Sequence, residues 1–400
     1  MTTATLNKSE LMAPAVAQTI QQRSLIIGAL AAIAGWFIAG DDAAKTDFFS
    51  AYLIGYMFWL GLSLGCMAIL MLYHMVGGKW GTVIRRILEA GAMVLPMMAV
   101  LFIPIGLNLP RLYKWARPEE LAKDSKLADI AGSYLNPTGI WTRAVIYFAI
   151  WIVMAFLLSK WSTEQDIPSG GEKSTLRFRV VSGFGLVIYS LSISFAVIDW
   201  VMSLQARWIS TIYGLLFVAG EALSAFCFVV VIENILSKRK PMSEYLTSTE
   251  VHDHGKLMLA FVMVWAYFNF SQWLIIWAGN LPEEIPWYVR RMNGGWGEVG
   301  LFLVIFHFAV PFALLLSRSL KKNVGQLALL ASWLIVMRMV DIFWHIEPAS
   351  HPAFHLSWVH FAVIAGMGGL WMAYFFRNLR SRPMLAVYAP QTLKHLESHG

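Results

Sequence analysis

The sequence predicts an all-α polytopic membrane protein of about ten transmembrane helices, and three observations carry that prediction. Of its 400 residues, 58% are hydrophobic and only 14% are charged, where a soluble domain carries about a quarter. The mean hydropathy is +0.59. Apolar runs long enough to cross about 30 Å of hydrocarbon at about 1.5 Å per residue recur along the chain, with no low-complexity segment or soluble domain between them.

The runs fall near 24–40, 50–76, 82–107, 140–160, 178–203, 208–237, 256–279, 297–317, 324–345 and 354–377. Residues 1–23 form a polar tail without the pattern of a cleaved signal, and 378–400 form a second tail around a single domain at 24–377. The first run is short. The third contains Pro96 and Pro104, which predict a kink. In the second, Gly61 and Gly65 make a small-xxx-small face suited to close helix packing. Gly183-x-Gly185 lacks the third glycine and the strand of a dinucleotide fingerprint. The loop Asn108 to Gly139 is mixed in charge and serves either as a docking surface or as a simple cover.

Ten spans put both termini on one side. The Lys and Arg residues divide 20 on that side to nine on the other, with Arg143 and Arg338 at a helix end and inside a span. The positive-inside rule therefore predicts cytoplasmic termini. It also absorbs the net charge of +7 without nucleic acid. Cys66 and Cys227 both lie in apolar runs, which leaves no disulfide framework, no Cys/His metal spacing and no Cys-x-x-Cys-His. No metal and no cofactor is expected on this chain, so haem or an iron-sulphur cluster would belong to a partner.

A weak internal echo links the fifth and ninth runs, which end Ala196-Val197-Ile198-Asp199-Trp200 and Val340-Asp341-Ile342-Phe343-Trp344. Four spans apart, the two share an orientation. This predicts two tandem four-helix bundles, at about 50–203 and 208–345, with 24–40 and 354–377 peripheral.

Ionisable groups inside a span are expensive and mark candidate sites. Arg338, Asp341 and His345 share one face of the ninth run, and Asp199 lies at similar depth on the fifth. These four are expected to form an outer polar cluster, with Glu221 and His307 near the midplane and Glu89, Glu233 and His74 nearer the cytoplasm. Two readings stay open. The cluster is either an internally paired pin between two bundles, with Arg338 between two aspartates, or part of a proton path or quinol site.

The stretch Phe268–Trp296 is oddly polar for a membrane helix and its exit. Gln272 sits among Trp273, Leu274, Ile275, Ile276 and Trp277, Asn280 can end the helix, and Pro282 cannot continue it. Glu283, Glu284, Arg290 and Arg291 are expected to form an external charged cap where extrinsic subunits dock. Trp287, Tyr288 and Trp296 are of the type found at lipid headgroups.

These residues resemble a known family. Ser271-Gln272-Trp273-Leu274-Ile275-Ile276-Trp277, then Asn280, Pro282-Glu283-Glu284, Trp287-Tyr288 and Gly294-Gly295-Trp296 look like the signature of the large integral subunits of bacterial alternative complex III. These belong to the polysulphide reductase membrane-subunit (NrfD-like) superfamily. Asp199-Trp200-x-Met202-Ser203-Leu204 with Trp208-x-Ser210-Thr211-x-Tyr213-Gly214, and the run Arg338 to Pro348, are similar to it as well. Length and short tails resemble the smaller of two related subunits.

The resemblance implies a subunit of a quinol-oxidising complex in a bacterial cytoplasmic membrane. Its partners would be a larger related integral subunit, extrinsic haem and iron-sulphur subunits, and lipid. Proton translocation is proposed for such subunits. In that family the better supported quinol pocket lies in the larger one, which argues against a quinone site here. Catalysis by this chain alone is not expected. The competing classes are a purely structural anchor and a secondary transporter. The latter would need interrupted helices in matching inverted halves, whereas the echo is parallel.

Overall fold

The computed structural model describes residues 11–38, 42–167, 175–386, 388–390 and 392. The far ends of both tails, and residues 39 and 40 of the first expected span, lie outside them. Among the described residues, nine helices are long and apolar enough to cross a membrane.

The helices that build the site are α1 (Ala15–Ile38), α2 (Asp42–Val76), α3 (Lys79–Ala92), α4 (Leu95–Leu107), α5 (Pro137–Glu164), α6 (Thr175–Trp200) and α7 (Tyr213–Leu236). They continue with α8 (Ser248–Gly279), α9 (Ile285–Met292), α10 (Trp296–Leu303), α11 (Val310–Leu316), α12 (Val324–Ile346) and α13 (Trp358–Arg380). The third span is α3 and α4 together. It breaks at Met93 and Val94 and restarts with Pro96 in its first turn, a position where a missing N–H is harmless. Between α10 and α11, Val304–Ala309 is a π-helical turn. Pro311 stands two residues beyond it; it lacks the N–H that the His307 carbonyl would bind, so the widened turn has a local cause.

Two rings of helices organise the interior. In the first, α2 packs on α4 and α6, and α5 closes the ring between them. In the second, α7 packs on α8 and α12, closed by α10 and α11. The rings meet through α2 and α7, and accordingly 94% and 83% of their apolar windows are inside the protein, against 22% for α8. Gly61 and Gly65 make that meeting close, since a Cβ at Gly65 would stand 2.2 Å from the Glu221 carbonyl oxygen. Side chains such as Phe184, Leu329 and Trp358 cover the outside, as lipid-facing surfaces require.

Helix α13 lies on α2, and α1 lies along α13. Gly28 and Gly369 let those two backbones touch, and Arg380 binds Gln18 and Gln21 at the far end. Met12 bridges to Pro383, and the Met384 amide donates to the Leu11 carbonyl at 2.7 Å. Residues 11–12 and 383–384 thus meet at one end of the bundle.

Candidate functional site

The second ring encloses a polar centre. α12 places Arg338, Asp341 and His345 on its inner face at one-turn intervals, all at most 3% exposed. Arg338 Nη1 donates to Asp341 Oδ2, the Trp265 indole donates to the same oxygen at 3.1 Å, and His345 Nε2 stands 3.6 Å from Oδ1. The Tyr213 hydroxyl lies 3.1 Å from His345 Nδ1. A second donor of Arg338, Nη2, has no partner.

From α7, Glu221 reaches the boundary between the rings. Tyr189 of the first ring donates to its Oε2 at 2.6 Å, while Oε1 is unpartnered and buried. Gly220 beside it gives Arg338 its room: a Cβ there would stand 2.2 Å from the guanidinium carbon. His307, on the π-helical turn, is wholly buried with its ring 4.0 Å from that of Trp265, and neither of its nitrogens has a partner. Buried polar atoms left open in this way are rare in settled interiors and call for a water or a ligand.

A cavity of about 700 Å³ opens beside this centre, between α8, α9, α10 and α12. Its wall is mostly apolar, from Met263, Phe270, Trp273, Leu301 and Phe308, with Asp341, Trp265, Asn269, Tyr288 and Arg291 among the residues that bring polar groups. Several of the apolar residues face outward, among them Phe270, Leu301 and Met292. This size and composition suit an amphipathic small molecule.

Asp199 is not part of this centre. Its carboxylate, wholly buried, takes two bonds from Arg143 at 2.8 and 2.9 Å and one from Tyr147 at 2.9 Å, inside the first ring. Sequence fixes depth along a helix but not rotation, and Asp199 turns towards α5. The expected pin, one arginine between two aspartates, is therefore two separate pairs: Arg143–Asp199 in the first ring and Arg338–Asp341 in the second. Each ring thus holds one buried aspartate with one arginine and one aromatic donor.

Glu89 also sits elsewhere. It is bound by Arg85 at 2.9 Å, Arg86 at 3.1 Å and Ser162 at 2.5 Å, and Arg86 continues to Asp166. This knot ties α3 to α5. Glu233 pairs with His254 at 3.0 Å, whose other nitrogen lies 2.9 Å from the Trp80 carbonyl oxygen, and His74 stacks on Phe178.

The expected external cap is only partly a surface. Glu283 and Arg290 are exposed, but Arg291 is 2% exposed and donates to the carbonyls of Trp287, Trp344 and His345 at 3.1, 3.2 and 2.5 Å. Its guanidinium lies 3.5 Å over the Trp287 ring. Burial pulls this guanidinium down from its ordinary value. Both arginines satisfy carbonyls at the end of α12, Arg290 those of Pro348 and Ala349. Trp287 and Trp296 are likewise interior, at 3% and 0% exposure, where a headgroup position was expected. Asn280 does end α8 in the left-handed conformation. Gln272 is accounted for by Ser210, which donates to it at 2.5 Å.

The residues that sequence reading missed are Trp265, Tyr189, Tyr213, Gly220 and the Arg143–Tyr147 pair. Tryptophan and tyrosine are common in membrane helices, so only Pro311, one turn from His307, gave a local hint. No protein-family model and no curated protein matches the chain, and the family resemblance rests on the three motifs.

Proposed function

We propose that this chain is an integral subunit of a quinol-oxidising electron-transfer complex in a bacterial cytoplasmic membrane, where it anchors the assembly and conducts protons through Asp341 and its neighbours. The observation that carries the reading is that Asp341 lies between a membrane-level cavity and the buried set Arg338, His345 and Glu221. A quinol gives up two protons and two electrons. A carboxylate lining the cavity can accept a proton from a quinol hydroxyl there, and His345 and Tyr213 stand next to it towards the end of α12.

The electrons leave for partner subunits, since the two cysteines here are free and buried. The cavity offers space for a quinol head that the resemblance had assigned to the larger subunit. The meeting of residues 11–12 with 383–384, and the passage of α1 along α13, support a tenth crossing and both ends on one side. The arginine and lysine distribution supports a cytoplasmic position for that side.

A purely structural anchor is the second reading, favoured by the ion pair that already satisfies part of Asp341. In that case a lipid acyl chain fills the cavity. Purification in mild detergent separates the readings from a lone carrier: haem and iron-sulphur subunits should copurify, together with quinol. Isolation as a single active transporter would sink the proposal.

A further inference from the structure

At the end of α12 opposite the Glu89 knot, the chain gathers three histidines and two carboxylates that the proton reading does not use. Glu347 follows the last residue of α12 and is wholly buried. Ser50 donates to its Oε2 at 2.7 Å. The Nδ1 atoms of His351 and His355 stand 2.8 and 3.3 Å from its Oε1. Asp47, on α2, brings Oδ1 to 3.3 Å from His351 Nε2.

We propose that Asp47, His351 and His355 form a site for a divalent first-row transition metal ion, with Glu347 as the carboxylate that orients both imidazoles. Each of the three residues offers one ligand atom, and the three atoms lie within 4.8 Å of one another. Imidazole ligands to a metal characteristically present their other nitrogen to a carboxylate. Here Glu347 Oε1 lies within 3.3 Å of Nδ1 of both rings and hydrogen-bonds that of His355, while His351 turns its Nε2 to Asp47. The two rings are stacked with centroids 4.2 Å apart, which holds them side by side at the site.

The Asp47–His351 distance of 3.3 Å is long for a charge-assisted hydrogen bond. It is about the edge of a tetrahedron whose metal bonds are about 2.0 Å. Two histidines and one carboxylate suit zinc or ferrous iron better than the hard cations calcium and magnesium. The carboxylates of Asp47 and Glu347 give the site negative charge that a divalent ion can neutralise.

A second observation points the same way. His360, 2% exposed, aims Nε2 at Glu347 Oε2 from 3.4 Å, and that nitrogen has no hydrogen-bond partner. Three imidazoles converging on one buried carboxylate is more than its charge requires. It is the arrangement expected of a supporting shell. The ligand side chains remain 26 to 35% exposed, so an ion can enter from the surface, and three protein ligands leave a fourth position open.

The test is metal binding by the full chain in detergent, stripped with chelator and then titrated with zinc(II) alone and cobalt(II) alone. One equivalent of zinc should bind per chain, and cobalt should give the visible absorption of a tetrahedral nitrogen and oxygen site. Asp47→Asn or His351→Gln should lose binding, and Glu347→Gln should weaken it about 10- to 100-fold. His252→Gln, at the start of α8, should leave it unchanged. The wild-type cobalt spectrum needs no variant and so stands even if a variant fails to fold. Absence of a stoichiometric site in the wild type, or equal affinity in the His351→Gln and His355→Gln variants, would overturn the proposal.

Discussion

The guanidinium of Arg338 rests on the α-carbon of Gly220, where a Cβ would stand 2.2 Å from Cζ. This contact lets an arginine from α12 lie between Asp341 of its own helix and the turn of α7 that carries Glu221. Gly220→Ala should push the guanidinium off Asp341 and lower stability by about 1–3 kcal/mol, the usual range for overpacking. Thermal unfolding in detergent measures it, and a wild-type midpoint would show that the contact is slack.

The Arg143–Asp199 pair gives a second prediction. Removing one partner of a buried pair strands a charge, so Arg143→Leu should destabilise by about 3 kcal/mol, while Arg143→Leu with Asp199→Leu should recover most of the loss. The comparison is again of unfolding midpoints. A double variant no better than the single would mean that the pair contributes net stability of its own.

Arg291 binds three backbone carbonyls and lies over the rings of Trp287 and Trp344. Arg291→Lys should behave much like Arg291→Met, because a lysine ammonium can neither fork across carbonyls nor stack flat. Losses of about 1–3 kcal/mol are expected from the stranded acceptors. Hydrogen exchange at the α12 terminus should rise in both variants, and protection retained with lysine would show that charge alone suffices.

Gly300, which lines the cavity, is the position from which it can be narrowed. A Cβ on Gly300 would meet Trp344 at 3.5 Å, an ordinary contact, so Gly300→Phe should fold while its ring occupies the cavity. Quinol binding, followed by photo-crosslinking of a quinone analogue to α8 or α10, should drop at least tenfold. Undiminished labelling would place the ligand elsewhere.

What the sequence made legible follows from what one-dimensional patterns encode. Hydrophobic length predicted ten spans, and nine helices among the described residues are long and apolar enough to cross a membrane; the side of the termini rests on the lysine and arginine distribution alone. Asp199 and Asp341 could be placed at equal depth, but their rotation towards different rings depends on helix packing, which Gly61, Gly65 and Gly220 decide by allowing close approach. Arg291 read as a surface charge because its partners are carbonyls, which leave no mark on a sequence. The Asp47, His351 and His355 group escaped because Asp47 lies some 300 positions from the histidines, and the four-residue spacing of His351 and His355 falls in a loop outside any expected span.

The measurement that bears most directly on the proposed function is proton release per electron in the assembled complex carrying Asp341→Asn, an isosteric change that keeps the Trp265 contact. With assembly verified by its subunit content, the proton yield and quinol turnover should both fall at least tenfold. Wild-type turnover and proton yield in that variant would contradict a proton role for Asp341 and leave the chain an anchor.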